Sequence, residues 1–244
     1  MVVSFDRFLT KGKSVLLAYD HGLEHGPSDF DERSVDPGFV VDLASRTGVN
    51  MVALQRGLAE KYYDRKVPLV IKLNGKTNIL GGEPLSSQIC SVKEAMRLGA
   101  SAVGYTIYPG SVHENVMLQE FGRIVEEAHQ EGMPAIAWVY PRGAAVKNDT
   151  SRELVSYAAR VGLEAGADAV KIKYTGDPDS FRWAVKAAGK AKVFMRQLRG
   201  VMDAGATGVA VGRNVWQNEN PLRMAQRIKA IVIEDKGVEE ALRI

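Results

Sequence analysis

The chain has 244 residues, of which 45 % are apolar and 25 % charged, the makeup of a folded globular protein and not of a disordered or collagen-like one. Its 32 Lys and Arg against 29 Asp and Glu leave a net charge of +3, with no basic cluster, so nucleic-acid binding has little support. No window approaches the roughly 18 consecutive apolar residues of a membrane helix, no secretion-signal core opens the chain, and the lone Cys90 cannot form an internal disulfide, which fits a reducing, cytoplasmic setting.

Eight short runs bounded by turn residues read as strands. In chain order they are SVLLAYD (14–20), NMVALQ (50–55), LVIKLN (69–74), SAVGYTIY (101–108), PAIAWVY (134–140), DAVKIKY (168–174), KVFM (192–195) and GVAVGR (208–213). Most are apolar on both faces until their C-terminal ends, as in parallel strands buried under helices. Between them, SVKEAMRLGA and SRELVSYAARVGLEAGA carry apolar residues at helical spacing and stop at Gly99 and Gly166. PDSFRWAVKAAGK has Pro178 near its start and Gly189 at its end. A small residue, Gly and Ala recur just before strands, in LGAS, AGAD and AGAT. Eight such units predict an α/β fold with a closed parallel sheet, a (β/α)8 TIM barrel in a single domain spanning 1–244, close to the usual length of about 250 residues. A doubly wound open sheet is the competing architecture, but no G-x-G-x-x-G follows any strand.

One unit is too short. The strand starts are separated by 36, 19, 32, 33, 34, 24 and 16 residues in turn. Between Met195 and Gly208 only RQLRGVMDAGAT is available, and a crossover needs at least about 10–12 residues including its helix. A short helix fits; a loop after the seventh strand hardly does. In a barrel of this kind the loops after strands seven and eight commonly hold a phosphate.

Active sites of such barrels lie at the C-terminal strand ends, so polar residues there are the candidates. In DAVKIKY, Val170 and Ile172 share one face, and Lys171 and Lys173 share the other, which points both lysines into the mouth. Burial and a cationic neighbour are what an amine nucleophile needs. A lysine titrating near 10.4 is protonated at neutral pH, and lowering it by three units takes about 4 kcal/mol. The expected chemistry is imine formation with a ketone or aldehyde, and strand alternation alone leaves either lysine as the nucleophile. Trp138 and Tyr140 share an inward face at the end of PAIAWVY; the first shapes the cavity, and the second offers a hydroxyl for proton exchange. In LLAYDHGLEHGP, Asp20 points inward beside Ala18, and His21 opens a loop that Gly22 and Gly26 keep from being helical. His21 and His25 make a poor metal pair, since catalytic zinc needs three protein ligands and His113 and His129 lie far off on or beside a helix. Lys72 and Asn74 share an inward face at the end of LVIKLN. At the end of the last strand Gly212 permits close backbone approach and Arg213 offers a fork for phosphate. Cys90 reads as packing.

The segments YDHGLEHGP, QRGLAEKYYD, KLNGKT, GYTIYPGS, YPRG, KIKYTGDP and VAVGRNVWQ, in order from about residue 5 to 220, resemble the archaeal-type class I fructose-1,6-bisphosphate aldolases. The resemblance implies a lyase of glycolysis and gluconeogenesis that forms an imine with a phosphorylated sugar and uses neither cofactor nor metal. It makes Lys171 the imine lysine, Tyr140 the acid/base, Asp20 the aspartate of the YDHG motif, and Trp138 an active-site residue. It also implies phosphate contacts at Gly212 and Arg213 and a homo-oligomer, a decamer; His21 and Lys173 at the strand ends stand beside these as candidate substrate contacts. The family's glycine-rich phosphate loop after strand seven has no counterpart, because Met195 runs straight into RQLRGVMDAG. Either the loop is deleted, or residues are left out of the sequence as written; the matching flanks favour the second, and an intact mass near 26.6 kDa would exclude it. Two alternatives share most of these residues: a related imine-forming, transaldolase-like enzyme on another phosphorylated keto sugar, and a non-catalytic phosphosugar-binding barrel.

Overall fold

A computed structural model describes residues 3–195 and 199–244. Its strands are β1 (Ser14–Tyr19), β2 (Met51–Gln55), β3 (Leu69–Lys72), a two-stranded hairpin of β4 (Asn74–Gly75) and β5 (Ser87–Gln88), then β6 (Ala100–Ile107), β7 (Ala135–Val139), β8 (Ala169–Lys171), β9 (Lys192–Met195) and β10 (Gly208–Val211). All but the hairpin close into an eight-stranded parallel barrel in the order β1-β10-β9-β8-β7-β6-β3-β2. This is the (β/α)8 architecture that the eight apolar runs predict.

Alternation along each strand divides the core in two. Val170, Ile172, Leu17, Tyr19, Ile71 and Tyr105 point outward into the layer between sheet and helices. Leu16, Ala18, Val70, Ala102, Ile136 and Trp138 fill the barrel interior. Phe5 and Phe8, from the segment before β1, pack into that interior cluster together with Phe194. The bottom of the barrel is thereby plugged with aromatic rings.

The helices are α1 (Gly22–His25), α2 (Pro37–Thr47), α3 (Arg56–Tyr62), α4 (Val92–Arg97), α5 (Glu114–Gln130), α6 (Arg152–Glu164), α7 (Pro178–Ala187), α8 (Arg199–Asp203), α9 (Arg213–Trp216), α10 (Pro221–Val232) and α11 (Val238–Leu242). Their ends follow local chemistry. Ser91, Ser151 and Asp177 accept N-terminal backbone N–H groups of α4, α6 and α7. The glycines of LGAS, AGAD and AGAT have φ of +87°, +92° and +93°, a left-handed turn that glycine adopts without strain and that sends each chain back into the sheet.

Three expectations need correction. The Gly22–Gly26 segment is not a plain loop: it makes one helical turn, α1, closed by Gly26 at φ +67°. Strand β8 stops at Lys171, so Lys173 lies beyond it. Asn74 does not face the mouth with Lys72. Its buried amide donates to the carbonyls of Ser86 (3.0 Å) and Thr106 (2.9 Å) and accepts from Thr106 N (2.8 Å), stitching the hairpin to β6. The short crossover after β9 holds the five-residue α8; the expected position of the missing phosphate loop, near 195–196, runs into residues 196–198, which lie outside the described residues.

Candidate active site

The C-terminal ends of the strands enclose a cavity of about 300 Å³, the size of a small-ligand pocket. Its floor is Trp138, 2 % exposed. Gly104 on β6 has no side chain and lies in register with Lys72 on one side and Ile136 on the other. The Trp138 indole occupies the space that a side chain at Gly104 would take. The ring thereby reaches both lysines: Lys171, its register partner on β8, puts Nζ 5.3 Å from the ring centroid, and Lys72 on β3 puts Nζ 5.4 Å from it. Both lysines are 7 % exposed.

Asp20 follows β1 and is 9 % exposed, with Oδ2 3.5 Å from Lys72 Nζ. Burial alone would raise its pKa. The charges of Lys72 first and Lys171 second outweigh that and hold the carboxylate below its ordinary range. A buried anion flanked by two amines is thus fixed on one side of the cavity.

The opposite wall is Tyr140, just past β7, with Arg142 two residues on. The Arg142 guanidinium lies 5.2 Å from the Tyr108 ring centroid and 5.8 Å from that of Tyr140. It donates to Glu24 of α1 at 2.7 Å. Burial disfavours its charge, but the Glu24 carboxylate more than compensates. Burial also drives the Tyr108 phenol well above its usual value.

His21 caps α1 and stacks on Trp216, with ring centroids 5.3 Å apart and 18° between planes. Its Nε2 is buried with no hydrogen-bond partner, and burial pushes its pKa down from 6.5 to about 4. A neutral ring sits there at physiological pH. Gly212 precedes α9, where a side chain would strike Trp216 and crowd the Ala18 carbonyl. Arg213 lines the cavity and donates to Asp29 at 2.7 Å. Lys173 also lines it, half-buried and engaged by Asp149.

Of the residues singled out at the strand ends, Asp20, His21, Lys72, Trp138, Tyr140, Lys171, Lys173, Gly212 and Arg213 border one cavity, and Asn74 does not. Three further members carry no mark in the sequence beyond lying inside quoted motifs: Glu24, Arg142 and Tyr174. A periodic pattern identifies an inward face, but the Glu24–Arg142 pair joins loops 118 positions apart in sequence. Among the described residues no group of three His, Cys, Asp or Glu is arranged to hold a metal ion, and no helix is long and apolar enough to cross a membrane.

The family model for DeoC/LacD aldolases matches residues 14–218. The chain is 52 % identical over 252 aligned positions to the class 1 fructose-bisphosphate aldolase of Thermoproteus tenax, taking in 97 % of this chain and 96 % of that one. It is 44 % identical over 248 positions to the class 1 fructose-bisphosphate aldolase of Halobacterium salinarum, covering 95 % and 94 %. Its fold superposes with a TM-score of 0.91 and 51 % identity, over 94 % of this chain and 98 % of the other, on an archaeal fructose-1,6-bisphosphate aldolase whose catalytic lysine is covalently bound to the carbinolamine intermediate of the substrate.

Proposed function

Because the chain belongs to the DeoC/LacD family of aldolases, we propose that it is a class I fructose-1,6-bisphosphate aldolase that works through an imine on Lys171. The observation that carries this reading is the buried Lys171 amine at the end of β8, on the Trp138 ring and beside an ionised Asp20. The reaction is the reversible cleavage of fructose 1,6-bisphosphate into dihydroxyacetone phosphate and glyceraldehyde 3-phosphate, and it needs no metal.

The steps follow from the groups present. The Lys171 amine adds to the C2 carbonyl of the open-chain sugar, and loss of water from the carbinolamine gives a protonated imine. That cation is an electron sink. When a base takes the C4 hydroxyl proton, the C3–C4 bonding pair moves into the imine, leaving an enamine, and the aldehyde departs. Tyr140 is the acid/base on the cavity wall. Asp20 balances the cation and orients the hydroxyl. Protonation at C3 and hydrolysis release the ketone. Arg213 and the Gly212 backbone before α9 suit one phosphate, with Lys173 beside them; Arg142 across the cavity suits the other. His21, neutral and stacked, shapes the wall without adding charge.

The chain serves as one barrel domain over 1–244, with the phosphate loop after β9 missing. The alignment with the Thermoproteus tenax enzyme fits this in length alone: its 252 positions exceed the 244 residues here, so that relative carries residues this chain lacks. The single buried cysteine supports a cytoplasmic setting. Exposed Tyr157 and Trp183 on neighbouring helices support a homo-oligomer, for which the resemblance implies a decamer.

Borohydride with fructose 1,6-bisphosphate tests the reading: the reduced adduct is expected on Lys171 in peptide mass mapping. An adduct on Lys173 or Lys72, or none at all, refutes it. Substrate profiling separates this activity from imine chemistry on another keto sugar.

A further inference from the structure

Glu24 has no part in the steps above, yet one of its oxygens is the meeting point of three groups. Arg142 Nη1 donates to Glu24 Oε1 at 2.7 Å, the Tyr108 hydroxyl donates to the same oxygen at 3.5 Å, and Lys76 Nζ lies 3.9 Å from it. The three come from different places: Lys76 follows β4, Tyr108 follows β6, and Arg142 lies beyond β7. A guanidinium, an ammonium and a phenol converging on one anionic oxygen make an arrangement suited to a phosphate oxygen. Here a side chain of the protein fills it. We propose that Glu24 is a specificity-determining residue that competes with the substrate: its carboxylate stands in the Arg142 site as an internal substitute for phosphate and is displaced when a phosphate binds there. The proposal rests on the reading above that Arg142 holds one phosphate, and it does not depend on which lysine forms the imine.

The site has what a displaceable competitor needs. The pair lies at the mouth, with the Arg142 side chain 35 % and the Glu24 side chain 20 % exposed, so water and ligand reach it. A partly exposed pair of single charges holds weakly. A phosphate monoester brings up to about two negative charges and three acceptor oxygens, enough to engage the guanidinium and the ammonium together. Were Glu24 to stay, two anions would crowd one guanidinium, and like charges placed together are unfavourable. A ligand end that is uncharged or carries a single carboxylate has no such advantage over Glu24, so the competitor selects for phosphate.

Glu24 is also free to withdraw. It rides on α1, a four-residue turn with no buried residue. Gly26 closes that turn at φ +67°, with open space where a side chain would point. The far end of the segment stays fixed, because the Asp29 carboxylate accepts from Arg213 Nη1 and the Asp29 carbonyl from Gln217, both at 2.7 Å. Displacement is thereby confined to one turn at the rim.

The test uses glucitol 1,6-bisphosphate, an open-chain sugar with both phosphates and no carbonyl for a lysine to attack. Its Ki against cleavage of fructose 1,6-bisphosphate reads phosphate binding apart from chemistry. Glu24→Gln keeps the shape of the side chain and removes its charge. It should lower Ki by about two- to fivefold, as expected for a partly exposed ion pair, whereas Arg142→Gln should raise it. In the double variant the gain from Glu24→Gln should vanish, since the competition acts through Arg142. Glu24→Ala gives the same readout if the Gln variant does not fold, as judged by thermal unfolding. A Ki that rises or stays put on loss of the carboxylate shows that Glu24 orients the arginine or merely packs, and overturns the proposal. A gain that survives in the double variant is a long-range effect of charge and overturns it too. If Arg142→Gln leaves Ki unmoved, the assignment of a phosphate to Arg142 fails first, while the adduct on Lys171 still stands or falls by its own trapping.

Discussion

Replacing Gly104 by Ala should damage catalysis far more than stability. The new methyl would stand less than 3.0 Å from Cζ3 and Cη2 of Trp138, a separation that real Cβ atoms essentially never show. The ring cannot swing away, being 2 % exposed in the filled barrel interior, and the backbone cannot yield freely, since β6 is paired with β3 and β7 at this level. Overpacking of this kind costs about 1–3 kcal/mol, which lowers Tm by about 2–12 °C in a domain of this size. The same clash pushes on the floor beneath Lys171 and Lys72, and a displacement near 1 Å in a catalytic group costs about 10²-fold in rate. Gly122→Ala is the matched control. It makes the same chemical change on an exposed face of α5 with nothing within 4 Å, and should stabilise by up to about 1 kcal/mol. Thermal unfolding together with initial rates of bisphosphate cleavage decides the matter. A Gly104→Ala enzyme with wild-type Tm and wild-type kcat would refute the idea that this glycine sets the ring and the ring sets the amines.

Tyr140→Phe removes the proposed acid/base and should lower kcat by about 10²–10⁴-fold, with slower borohydride trapping; a change confined to KM would contradict that role. His21, titrating near 4 when folded and 6.5 when unfolded, is neutral in the native protein. The unfolded chain therefore binds the extra proton first as pH falls, so stability is full above 6.5 and is lost by about 3 kcal/mol at most on the way to 4. His21→Gln should flatten the urea midpoint across that window, and parallel losses in both proteins would show that other groups dominate. Exhaustive dialysis against EDTA should leave cleavage activity and trapping intact; loss of activity restored by a divalent metal would favour a different class of aldolase.

The barrel was legible because its strands are apolar on both faces and its returns are marked by glycines that must turn left-handed, as at Gly99, Gly166 and Gly205. Strand alternation also found the inward lysines and the Trp138–Tyr140 face, since period two is local. It could not separate Lys171 from Lys173. That distinction depends on where β8 stops and on Asp149, a residue from another loop that engages Lys173. Lys72 drew notice as an inward cation, but its weight comes from Asp20, which is 52 positions away. Asn74 departs from the expected face for the opposite reason. It obeys the alternation of a strand that has already ended, and its amide turns to satisfy the hairpin and β6. Pairings across the barrel and side chains spent on loop carbonyls leave no periodic trace.

The aromatic plug made by Phe5, Phe8 and Phe194 gives the reaction a direction of traffic. A barrel sealed at one end is a vessel with a single doorway, so the sugar, the water that hydrolyses the imine and both products must pass through the same mouth. On the proposed imine at Lys171 the three-carbon half stays covalently held until water hydrolyses it, whereas the aldehyde half is free to leave once the C3–C4 bond has broken. Release is thus ordered by the covalent bond: aldehyde first, ketone second. In the condensing direction the ketone must form its imine before the aldehyde can be attacked, and both come in through that one doorway.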